Sequence, residues 1–115
     1  MIRDINFKIL NEEYINNKPF PHIVIDNFLK ENICKQIEKS FPNHNEDFWL
    51  KYNNPVERKL LYNHLDSAMP LNIKDLLISL NEPWFLNLLE NLTGIRNLRS
   101  DPKFHGGGMH CTKRH

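Results

Sequence analysis

An α+β fold is what this sequence predicts, on three observations. Two stretches, 30–41 and 70–93, carry apolar residues at helical spacing. A β-branched run lies at Ile23-Val24-Ile25, and a glycine-interrupted segment spans 104–112. With 115 residues, 40% hydrophobic and 25% charged, the composition is that of one small globular domain and not of a disordered segment.

Taken in order, Pro19-Phe20-Pro21 forces an extended backbone that leads into His22-Ile23-Val24-Ile25-Asp26, so a strand is expected within 18–29. Leu29, Ile33, Ile37 and Phe41 then recur at helical spacing and Pro42 stops the pattern, which predicts an amphipathic helix over 30–41. From Asp47 to Tyr52 the aromatics indicate an extended piece, closed by the turn signal Asn53-Asn54-Pro55. Residues 53–69 are otherwise ambiguous. After Pro70, the stripe Ile73, Leu76, Leu77, Leu80 is followed by Phe85, Leu88, Leu89, Leu92, which predicts two consecutive helices over 70–93. Pro83 suits the first turn of the second helix, where its missing N–H costs nothing, and Gly94 suits its C-terminal cap.

Phe104 to Thr112 reads as a strand in which Gly106 to Gly108 permit a bulge or a close backbone approach. Its partner is missing from the later chain, so an open edge is expected. The main buried layer should comprise Ile23, Ile25, Ile33, Ile37, Leu77, Leu80, Phe85, Leu88 and Leu89, with Trp84 partly buried beside them.

Charge narrows the function classes. Fifteen Lys and Arg against 14 Asp and Glu give a net charge of +1, too little for a general attraction to nucleic acid or anionic membrane. Only the tail, Lys113 and Arg114, is locally basic. No membrane span or signal peptide is visible, and Cys34 and Cys111 form no paired pattern, so reduced thiols in a cytoplasmic protein are expected.

His105, His110, Cys111 and His115 are candidate metal ligands by type, and zinc needs four such donors around one ion. Their spacing opposes this reading, because adjacent residues on a strand point to opposite faces and no second His/Cys cluster exists. The same alternation separates Cys111 from His110 as a nucleophile and base. A P-loop requires Gly-Lys-Ser/Thr opening a helix, whereas Gly108 precedes Met109-His110; a dinucleotide fingerprint fails at Cys111.

Read together, Lys18 to Leu29, Tyr52-Asn53-Asn54-Pro55, Phe85 to Ile95, and Asp101-Pro102-Lys103-Phe104-His105-Gly106-Gly107-Gly108-Met109-His110 resemble one family in order and spacing. The family is that of the 2-oxoglutarate- and Fe(II)-dependent oxygenases of the prolyl-hydroxylase-like type. The resemblance implies a double-stranded β-helix, a jelly-roll-like fold, of which residues 1–115 would be the N-terminal part: the helical layer and first strands of a single domain. It implies a dioxygenase that hydroxylates an unidentified substrate, using Fe(II) and 2-oxoglutarate in the full-length protein.

In that family a His-x-Asp pair and a distant His hold the iron, and a basic residue pairs with the cosubstrate's far carboxylate. No His-x-Asp occurs in this sequence. No catalytic or metal-ligating residue is therefore assigned, no cofactor is expected to bind this chain alone, and the chain as it stands is expected to be inactive. Met109 and His110 are the candidate pocket-lining residues. A missing C-terminal core, or self-association through the open strand edge, would supply its partner. Two alternatives stay open: a non-catalytic α+β interaction module that recruits a partner by strand addition, and a small zinc-binding module.

Overall fold

The computed structural model describes residues 1–114, which leaves His115 outside the described residues. The elements run α1 (Phe7–Asn16), α2 (Glu31–Ser40), β1 (Leu50–Asn53), β2 (Arg58–Tyr62), α3 (Leu71–Ser79), α4 (Pro83–Thr93) and β3 (Met109–Cys111). Among the described residues the fold is α+β, with four helices and an open antiparallel sheet of order β1-β2-β3.

Two apolar clusters hold it together. In the first, Phe7, Phe85 and Leu92 join α1 to α4, and Ile23, Ile25 and Phe28 pack against them. The Phe7 and Phe85 rings meet edge to face at 6.4 Å, and Asn11 Nδ2 donates to the Leu92 carbonyl across 2.6 Å. The second cluster joins the sheet to α2 and α3 through Trp49, Leu60, Tyr62, Met69, Ile73 and Met109, with Ile37 and Leu77 packed on it. Ser40 Oγ bonds Asn72 Oδ1 at 2.9 Å and ties those two helices at their ends.

Helix α1 is not legible as a stripe. Its start is nonetheless written locally, because Asn6 Oδ1 accepts the N–H groups of Lys8 and Ile9 at 3.1 and 3.2 Å. Phe7, Leu10 and Tyr14 then share the face turned to α4, whereas Ile9 is 72% exposed and blurs the pattern. The α4 boundaries follow the sequence rules, with Pro83 in the first turn and Gly94 closing the helix at φ 76°.

The strand expected within 18–29 does not form. Pro19 and Pro21 have no N–H to give to a ladder, and among the described residues the only pairing near this segment is the single bridge Ile2↔Leu29. Its isoleucines serve instead as side-chain packing for the α1/α4 cluster. The strand that does complete the sheet is β2, from the ambiguous region. It pairs Leu50↔Leu61 and Lys51↔Leu60 with β1, and Leu60↔Cys111, Leu61↔His110 and Tyr62↔Met109 with β3. The glycine strand therefore pairs with an earlier strand, β2, on one side, and among the described residues its other edge is open, as expected.

The buried layer also differs. Of the nine residues expected to form it, only Phe85 is buried; Ile23, Ile25, Ile33, Ile37, Leu77, Leu80, Leu88 and Leu89 are half-buried. Splitting the apolar surface between two small clusters leaves the helix stripes covered on one side only. Trp84 is more exposed than expected, at 41%, because its ring lies at the edge of Phe85 and its Nε1 reaches Glu82 at 3.0 Å.

Candidate functional site at the glycine-rich strand

The glycine segment is built by a carboxylate. Asp101 accepts the N–H of His105 at 2.7 Å and of Lys103 at 3.3 Å, and its own N–H bonds Asn81 Oδ1 at 3.1 Å. The His105 Nδ1 also lies 3.3 Å from Asp101 Oδ1. Although burial opposes it, these N–H groups and the His105 charge hold the Asp101 carboxyl below its ordinary range. The result is a turn and not the extended run expected from Phe104 onward: Phe104 adopts φ 49°, is buried, and gives its carbonyl to Asn63 Nδ2 at 2.9 Å.

Only Met109 to Cys111 is strand. The close backbone approach is real, and Gly108 makes it. At φ 116° a Cβ there would stand 2.5 Å from the Tyr62 carbonyl oxygen and 2.9 Å from Asn63. The glycine thus lets the chain turn into register with β2, while Gly106 has nothing within 4 Å of a Cβ position.

Strand alternation then sorts the site residues. Met109 turns into the sheet cluster beside Tyr62, at 3% exposure. His110 faces the other way and is exposed, paired with Leu61. Cys111 returns to the Met109 side, half-buried and free, opposite Leu60. Met109 and His110 consequently point to opposite faces of the sheet.

Next to this strand, Tyr62 donates its hydroxyl to Asp66 Oδ2 at 2.5 Å, and Asp66 Oδ1 accepts the Ala68 N–H at 3.0 Å. Burial, followed by the Asp66 hydrogen bond and charge, pushes the Tyr62 phenol up to about 12. The same hydrogen bond, aided by the Ala68 N–H, lowers the Asp66 carboxyl. Sequence reasoning missed this pair, since nothing in 53–69 marked Tyr62 as a strand end facing a turn.

Beyond Cys111 the sheet ends in an open depression lined by Lys51, Asn53, Arg58, Leu60 and Lys113, among others. Its basic residues come from three separated segments, so charge counting along the chain exposed only Lys113 and Arg114.

Among the described residues no group of three His, Cys, Asp or Glu side chains is placed to hold a metal ion, iron included; His115 lies outside them. No helix among these residues is long and apolar enough to cross a membrane. Comparisons with protein families, curated proteins and solved structures find no match to this chain.

Proposed function

We propose that this chain is the N-terminal portion of a 2-oxoglutarate- and Fe(II)-dependent oxygenase domain, its helical layer and first antiparallel strands, acting in a hydroxylase whose iron ligands lie on other residues. The observation that carries the reading is the Asp-Pro to Gly-Gly-Gly-Met-His segment, in the order and spacing of that family after the motifs that precede it. Its placement supports the reading: the segment feeds a strand of an antiparallel sheet backed by helices, with Gly108 pressed against the neighbouring strand. Bound iron and 2-oxoglutarate would activate O₂, the source of the oxidising equivalents. The described residues would contribute a scaffold for the sheet that carries the ligands.

The test compares the 115-residue chain with the product of its whole reading frame, each given Fe(II), 2-oxoglutarate and ascorbate in air. The chain alone should make no succinate, and the whole product should. A reading frame without a His-x-Asp pair overturns the proposal. Succinate made by the short chain and abolished by His110→Ala would instead make the local histidines ligands.

One observation favours a second reading, a non-catalytic module that pairs edge to edge. Among the described residues β1 and β3 each pair on one side only, and Leu50 and Tyr52 on β1 are 43% and 41% exposed. A stable, defined homodimer of the 115-residue chain, with no activity from the whole product, would select it.

A further inference from the structure

The depression at the end of the sheet gathers cations that the sequence keeps far apart. Lys51 sits on β1 directly across from Leu60 on β2, and Leu60 in turn faces Cys111 on β3. Two residues along, Asn53 pairs with Arg58 on the same face. Lys113 follows β3 and lines the same depression. Five positive side chains, Lys51, Arg58, Lys59, Lys113 and Arg114, thus line the depression together with Asn53, Leu60 and Cys111.

The carboxylates stay away. None of the lining residues is acidic. Among the described residues Lys51, Arg58, Lys113 and Arg114 form no ion pair, whereas their neighbour Lys59 is matched by Glu57 at 3.3 Å and stands 5.8 Å from the Tyr52 ring centre. In a chain with 14 acids and a net charge of +1, this is a local concentration of unneutralised charge. Like charges held together on neighbouring strands repel, and a bound anion would relieve that repulsion.

From this juxtaposition we propose a binding site for a small ligand bearing a phosphate group, held by Lys51, Arg58 and Lys113 over the Leu60/Cys111 floor. Arg58 supplies a planar fork that fits two phosphate oxygens, and the lysines act as point charges beside it. The cations gather around one bounded depression at the end of the sheet, which suits a single phosphate head; a nucleic-acid backbone would need a groove tracked by cations and stacking aromatics. The inference stands on the sheet register and charge alone, independent of the oxygenase reading.

The ligand would cover Cys111, which gives a direct readout. In protein carrying Cys34→Ser, inorganic pyrophosphate should slow iodoacetamide labelling of Cys111, and phenyl phosphate should do so at lower concentration if the ester's organic part rests on Leu60. Calorimetry should find pyrophosphate affinity reduced about tenfold or more in Arg58→Gln/Lys113→Gln, that is by about 1.4 kcal/mol. Lys8→Gln/Lys39→Gln, which removes the same charge elsewhere, should change it by less than about twofold, the residual effect of net charge. Equal losses in the two double variants overturn the proposal. So does unchanged Cys111 labelling with both phosphates, a result that needs no variant at the site, and so does protection by a single-stranded oligonucleotide alone.

Discussion

The Tyr62 hydroxyl lies 2.5 Å from Asp66 Oδ2, donating a hydrogen bond that ties the last residue of β2 to the turn leading into α3. The bond joins a phenol inside the sheet cluster to a carboxylate at the surface. Both groups shift in the directions that keep it intact: the phenol holds its proton and the carboxylate stays ionised.

Stability should therefore fall at both pH extremes through this pair. The Tyr62 pKa is raised from 10.0 to about 12, so its contribution is complete below pH 10.0 and is lost as pH rises toward 12. The Asp66 pKa is lowered from 3.8, so its contribution is present above that value and is lost as pH falls below it. Thermal melts of Tyr62→Phe across pH should show a lower Tm at neutral pH and a flatter alkaline limb than the parent. A parallel pair of curves would mean that the bond carries no linkage.

Gly108→Ala should destabilise strongly. Its Cβ would meet backbone atoms at 2.5 and 2.9 Å and would have to adopt φ 116°, for a cost of about 3 kcal/mol or more, from strain and a forced shift of β2. Gly106→Ala meets nothing within 4 Å and should fall within about 0.5 kcal/mol of the parent. Urea melts of the two variants measure the difference.

Removing the α1 cap isolates a local contribution. Asn6 Oδ1 accepts two N–H groups at the helix start, so Asn6→Ala should cost about 1 kcal/mol. Asn6→Asp should retain most of it. Equal losses in the two variants by denaturant melts would show that the amide, and not the capping oxygen, matters.

The α1/α4 cluster should be the more fragile of the two. Phe85 touches Phe7, Phe28 and Trp84 by its ring, and Phe85→Ala should cost about 3–5 kcal/mol through lost burial and the cavity left. Val56, 91% exposed in the β1–β2 turn, should tolerate alanine to within about 0.5 kcal/mol. Tryptophan fluorescence should report Phe85→Ala through Trp84.

Much of this molecule was decided by the sequence alone. The apolar stripes of α2, α3 and α4, the Pro83 start and the Gly94 stop are local signals, and the helices lie where those signals put them. The need for glycine at a close backbone approach was also legible, and Gly108 meets it. Reading Ile23-Val24-Ile25 as a strand failed because β propensity states what a pleated surface accepts, not whether a partner strand exists to accept it.

Tertiary structure decided what depends on partners distant along the chain. Leu60 and Tyr62 become core only because β1 and β3 flank β2 and because α2 and α3 close over that face. Tyr62 and Asp66 meet because a strand ends and a turn reverses. Lys51, Arg58 and Lys113 become one charged surface through sheet register, a long-range property that no window along the sequence contains, since shifting a strand by one residue would send each side chain to the opposite face.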